Sequence, residues 1–101
     1  MFQDGLLKGK RILVTGGGTG LGAAMGRRFL ELGADLVICG RRIEVLEETA
    51  ARFRSETGGK VMPISCDVRD AAAVEAMMDR IWESGPLDCL LNNAAGNFIA
   101  E

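Results

Sequence analysis

The stretch Arg11-Ile12-Leu13-Val14-Thr15-Gly16-Gly17-Gly18-Thr19-Gly20-Leu21-Gly22 decides the fold. Its first five residues are rich in branched side chains around the apolar Ile12-Leu13-Val14, and Gly16-Gly17-Gly18 halts them, which is the pattern of a short buried strand. From about residue 20 to residue 32, Leu21, Ala24, Met25, Phe29 and Leu32 recur at helical spacing, and Gly33 follows as a stop. A strand that feeds a helix through a glycine-rich turn has a distinct chemistry. The turn needs residues that accept positive φ, and a diphosphate approaches backbone N–H groups only where no Cβ intervenes. The helix beginning near Gly20 adds unpaired N–H donors and the positive end of its dipole. Gly22 allows that helix to lie close on a sheet. A nucleotide-triphosphatase phosphate loop is disfavoured, because it needs Lys and then Ser or Thr after its last glycine, whereas Ala23 and Ala24 follow Gly22.

Reading onward, residues 35–39 repeat the buried-strand pattern around Leu36-Val37-Ile38. Ile43, Leu46, Ala50 and Phe53 mark one face of a second helix, closed by Gly58-Gly59. Residues 61–65 form a third, weaker strand, where Pro63 signals an edge position or a missing ladder bond. Asp70 is placed to cap a third helix with Val74, Met77, Met78, Ile81 and Trp82 on its inner face, ended by Gly85-Pro86. Cys89-Leu90-Leu91 begins a fourth strand that runs into Asn92-Asn93-Ala94-Ala95-Gly96. Strands and helices alternating in this way imply an α/β fold, a Rossmann-type doubly wound parallel sheet between two helical layers. With strand order 3-2-1-4, the crevice between the carboxyl ends of strands one and four is the expected ligand site. The apolar run of strand four calls for cover on both faces and for a further strand beside it, which the chain is not expected to supply.

The totals narrow the class. A net charge of −2 gives no broad attraction to nucleic acid or anionic lipid, so any anion site must be local. No apolar run approaches the roughly 20 residues that span a bilayer, and residues 1–10 carry no secretory signal, so a cytoplasmic protein is expected. Cys39, Cys66 and Cys89 have no paired metal-ligand spacing and there is no His, so no metal site is expected; the cysteines read as small buried hydrophobes.

The end of the second strand reads the ribose of a dinucleotide. An acidic residue about 20 positions after the glycine loop accepts the 2′-hydroxyl of NAD. Counting from Gly20, that place falls on Gly40, and Arg41 and Arg42 follow. A guanidinium offers a 2′-phosphate a planar, charge-assisted fork, so NADP(H) is favoured over NAD(H). The alternative is that Arg41 and Arg42 are solvated helix-start residues, one of them paired with Glu44. Asp67 can accept the adenine amino group, or it can serve the turn before Asp70.

The spacing Thr15-Gly16-x-x-x-Gly20-x-Gly22 resembles that of the short-chain dehydrogenase/reductase family, and the resemblance covers essentially the whole chain. Asn93-Ala94-Ala95-Gly96 is similar to the family's Asn-Asn-Ala-Gly segment, with Ala95 as one extra residue, and Asp67-Val68 is similar to its adenine-contacting pair. The resemblance implies a cofactor site made of Gly16, Gly18, Thr19, Gly20, Leu21, Arg41, Arg42, Asp67, Val68, Asn93, Ala94, Ala95 and Gly96. Asn93 would tie strand four to its neighbour. The family's Tyr, the Lys four residues after it, its Ser and its relay Asn all fall beyond strand four. This chain has no Tyr, and Ser55, Ser65 and Ser84 lie on elements away from the expected crevice, so no catalytic residue is assigned. Residues 1–101 therefore read as the NADP-binding half of a single domain whose catalytic half lies elsewhere.

Residues 92–98 look like the version found in 2,4-dienoyl-CoA reductases, which implies a small-molecule acyl-CoA substrate and a homo-oligomer, dimer or tetramer. A 3-oxoacyl or general carbonyl reductase is the next reading. Phe98 either lines an acyl pocket or packs under a following helix. The rival from another class is a non-catalytic NADP-binding sensor or scaffold module.

Overall fold

A computed structural model describes residues 5–93 and the backbone of residues 98–100. Ala94, Ala95 and Gly96, and the side chain of Phe98, lie outside the described residues. The elements are β1 (Arg11–Thr15), α1 (Gly20–Glu31), β2 (Asp35–Gly40), α2 (Ile43–Thr57), β3 (Val61–Ser65), α3 (Ala71–Glu83), β4 (Cys89–Asn92) and β5 (Phe98–Ala100). The sheet runs β3-β2-β1-β4-β5. Its first four strands are parallel in the expected order, and β5 returns antiparallel to β4, Asn92 facing Phe98. The chain thus supplies the neighbour to β4 that the sequence was not expected to give. A parallel partner needs a long crossover, whereas an antiparallel one needs only a short return.

Alternation along the strands divides the core between two faces. Ile12, Val14, Leu36, Ile38 and Leu91 face α1 and α2, where they meet Leu30, Leu46, Ala50 and Phe53. Leu13, Val37, Cys39, Ile64 and Cys66 face α3, where they meet Met77 and Ile81.

Two helical faces differ from expectation. On α1 the buried residues are Gly22, Ala23, Gly26 and Leu30, while Leu21 and Ala24 are exposed and Met25 and Phe29 are only half-buried. Close approach explains this: a Cβ at Gly26 would sit 3.0 Å from Leu36 Cδ2, so the small residues face the sheet and the large ones flank it. On α3, Met77 and Ile81 are buried and Met78 is half-buried, but Trp82 is 54% exposed rather than core. Trp82 continues the Val74–Met78 row, one helical step to the side of the Met77–Ile81 stripe. Ile43, the first residue of α2, is also exposed.

The ends of α3 are both closed. Asp70 accepts from the amides of Ala72 and Ala73 at 3.0 and 3.2 Å. At the other end the Arg11 guanidinium donates to the carbonyls of Ile81 at 2.8 Å and Gly85 at 3.1 Å, and to Ser84 Oγ at 2.6 Å.

Pro63 lies on the edge strand β3, opposite Ile38. The Leu36 amide bonds to the Lys60 carbonyl and the Cys66 amide to the Gly40 carbonyl, so even-numbered residues of β3 turn their backbone toward β2 and odd-numbered ones turn it outward. Pro63 therefore costs the sheet no ladder bond. No helix among the described residues is long and apolar enough to cross a membrane. Cys39 and Cys66 are buried and Cys89 is half-buried, with no disulfide and no metal-binding cluster among the described residues.

Candidate functional site

The glycine loop takes its shape from fixed points on both sides. Gly16 and Gly20 have φ of 66° and 58°, a backbone region in which a Cβ is strained. The Gly16 and Gly17 amides donate to the Cys39 carbonyl at 2.8 and 3.4 Å, which pins the start of the loop to β2. From the other side, Asn93 Nδ2 donates to the Gly16 carbonyl at 3.4 Å. A Cβ at Gly22 would press on that same carbonyl and lie 2.8 Å from Asn93 Nδ2, so only glycine fits there.

Beyond these ties the loop leaves its donors open. Among the described residues the amides of Gly18, Thr19, Gly20, Leu21 and Gly22 donate to no acceptor, and the first helical bond runs from the Ala23 amide to the Thr19 carbonyl at 3.3 Å. Thr19 makes no side-chain cap, and the first turn of α1 holds no acidic residue. An uncapped start combines orphan N–H groups with the positive end of the helix dipole. Leu21 stands exposed over this end of the helix.

Two cavities open at the carboxyl ends of the strands. One, of about 220 Å³, lies between Gly16, Gly18 and Thr19 on one side and Gly40, Arg41 and Arg42 on the other. The second, of about 300 Å³, shares Gly16, Gly40 and Arg41 and extends to Cys66, Asp67, Val68 and Arg69. They form one trough with Arg41 at the junction. A larger cavity, about 430 Å³, lies at the opposite end of the sheet beside Arg11, Asp35 and Lys60. Open parallel sheets bind ligands outside their carboxyl ends, so the trough is the better candidate despite its size.

Arg42 is the N-cap residue of α2, with extended backbone, and Arg41 precedes it; both are exposed at the helix start, as the alternative reading expects. Arg42 Nε lies 3.6 Å from Glu44 Oε1 in a solvated pair, while Arg41 makes no salt bridge among the described residues. A Cβ at Gly40 would meet Leu46 only at ordinary contact, 3.6 Å, so the protein alone does not demand glycine there. Asp67 is held by Arg69 through its side chain (Nε 3.1 Å, Nη2 3.0 Å) and its backbone N–H at 3.0 Å. These bonds, helped by the charges of Arg69 and Arg41, hold the carboxyl at about 2. Burial pushes the Cys39 thiol up to about 12 and raises that of Cys66, so neither is a nucleophile in the trough wall.

Residues 10–100 match the family model of the short chain dehydrogenases. The chain belongs to that family. It is 50% identical over 100 residues to an uncharacterized oxidoreductase of Caenorhabditis elegans, covering 97% of this chain and 32% of the relative. It is 47% identical over 102 residues to a probable 2,4-dienoyl-CoA reductase of the same organism, covering 98% and 33%. Among solved structures, the L-sorbose reductase of Gluconobacter frateurii, complexed with NADPH and L-sorbose, superposes with a TM-score of 0.84 at 30% identity, covering 90% of this chain and 35% of that one. The chain spans about a third of the length of these relatives.

Ser65 ends β3 with its hydroxyl 3.5 Å from the Arg41 carbonyl and lines neither cavity of the trough. One residue beside the loop was missed in the sequence. Thr49 drew no notice, yet it is one of two buried polar residues among those described, and its hydroxyl donates to the Gly18 carbonyl at 2.7 Å. The signal was present: a hydroxyl on the apolar stripe Leu46-Ala50-Phe53 must find a partner.

Proposed function

We propose that the trough binds NADP(H) and that residues 1–101 form the cofactor-binding half of an acyl-CoA reductase of the dienoyl class. One observation carries the reading. The uncapped, glycine-lined start of α1 faces Arg41 across a single trough, with Gly40 where an NAD enzyme would carry a carboxylate. The fit is physical: side chains at positions 16, 20 and 22 would strain or fill the cradle, while room is left at Gly40.

In this reading the amides of Gly18, Thr19, Gly20 and Leu21 bind the diphosphate, and Arg41 with Arg42 binds the 2′-phosphate. Asp67 and Val68 meet the adenine. Asn93 holds the loop against β4, and Ala94, Ala95 and Gly96 line the nicotinamide side. The cofactor, when bound, supplies the hydride. With no Tyr among residues 1–101, we assign proton transfer to the part of the longer relatives that this chain does not span. The acyl-CoA substrate rests on the similarity to proteins named as 2,4-dienoyl-CoA reductases, and the phosphorylated cofactor is supported by the NADPH held in the L-sorbose reductase.

Arg41→Ala in the whole protein should weaken NADPH roughly ten- to a hundredfold, the range of lost charge-assisted hydrogen bonds, and leave NADH nearly unchanged. Dissociation constants for both cofactors decide this; equal losses would defeat it. NADPH oxidation with a 2,4-dienoyl-CoA tests the substrate class, and turnover only of simple ketones would move the assignment to a carbonyl reductase.

A further inference from the structure

We propose that Thr49 is a positioning residue: it keeps the glycine loop open toward the phosphates and locks it to the arginine-bearing start of α2. This rests on the dinucleotide reading above.

Thr49 lies on α2 at 3% exposure, among Leu46, Ala50 and Phe53, which are buried apolar residues. A hydroxyl in such surroundings is costly unless bonded. The usual solution inside a helix is to bond back to the carbonyl one turn earlier. Thr57 does so in this same helix, donating to the Phe53 carbonyl at 2.7 Å. Thr49 instead reaches 31 residues away in sequence to the Gly18 carbonyl.

The choice of partner has a consequence. Helix α1 takes its first bond at the Thr19 carbonyl, so the Gly18 carbonyl, one residue earlier, has no partner within the helix. The Thr49 hydroxyl holds that oxygen. A carbonyl oxygen turned into an anion cradle would repel phosphate. Thr49 holds it from behind: Gly18 lines the smaller cavity and Thr49 does not.

The same bond joins the two anion-binding elements. A Cβ at Gly18 would come within 3.2 Å of Leu46 Cδ2 and 3.3 Å of Val45 Cγ1, so the loop rests directly on the first turns of α2. Arg42 caps that helix. The spacing between the loop amides and the start of α2 is therefore set by apolar contact and fixed by one short hydrogen bond. The branched Cβ of threonine restricts its χ1, which aims the hydroxyl.

The test uses the whole protein with Thr49→Val, which keeps the shape and removes the hydroxyl, and Thr49→Ser, which keeps the hydroxyl. Calorimetry gives the affinities for NADPH and for adenosine 2′-monophosphate, which carries the adenine and 2′-phosphate but no diphosphate. Thr49→Val should bind NADPH about five- to tenfold more weakly, the span of one neutral hydrogen bond, and bind the monophosphate as the wild type does. Thr49→Ser should remain within about twofold of the wild type for both. Unchanged NADPH affinity in Thr49→Val, an equal loss for the two ligands, or a Ser variant as weak as the Val variant would each overturn the proposal. If the Val variant does not fold, the Ser variant decides alone, a tenfold loss counting against. A wild type that binds neither NADPH nor NADH would overturn the dinucleotide reading itself, and Thr49's role with it.

Discussion

Asp67 is an acceptor surrounded by donors: two nitrogens of the Arg69 guanidinium and the Arg69 backbone N–H. Its folded-state value, about 2, lies below the ordinary carboxylate range. Whatever stability the pair adds is complete above about pH 4 and is lost as the pH falls through about 2, so between pH 5 and 9 Asp67 stays ionised and acceptor-only. Arg69→Ala should raise the Asp67 value toward the ordinary range, read by NMR titration of its carboxyl carbon. A value that stays near 2 would show that the backbone and Arg41 suffice. At this scale the sequence was most legible where residue type is itself the geometry, as with Gly16, Gly20 and Gly22. It was least legible for Thr49, whose hydrogen-bond partner lies 31 residues away.

The elements were readable for a different reason. Each strand is a short apolar run ended by glycine or a polar turn, and each helix keeps its period, so element type and order follow from local pattern. The inner face of α1 did not follow, because glycine and alanine bury well only when the sheet is near, which the sequence does not state. The carboxyl end of α3 shows a similar long-range dependence. It is closed by a guanidinium from β1 as well as by Ser84 and Gly85 of its own turn. Arg11→Ala should therefore destabilise the fold by about 1.5–3 kcal/mol, as expected for hydrogen bonds from a charged donor to carbonyls at the negative end of a helix dipole. Urea unfolding of the two proteins measures this. A change within 0.5 kcal/mol, typical of a surface substitution, would show that the end of α3 is satisfied without it.

At the scale of the molecule, α1 and α2 cover one face of the sheet and α3 the other, and the flank of α3 carries Trp82. The strand order 3-2-1-4 was legible because right-handed crossovers leave few ways to wind such a chain, while the return of β5 depends on pairing that no local pattern announces. Trp82 is the sole tryptophan, so its fluorescence reports that flank alone. For the 101-residue chain its emission should lie near that of indole in water, quench readily with acrylamide and shift little on unfolding. A blue emission that reddens in urea would place the ring inside. The opposite margin of the sheet is guarded differently. With its ring on the outward side of β3, Pro63 offers no hydrogen to a passing extended segment, so a second molecule trying to lengthen the ladder finds a gap at its middle. One imino acid leaves intramolecular pairing intact and discourages the polymerisation to which bare β margins are prone.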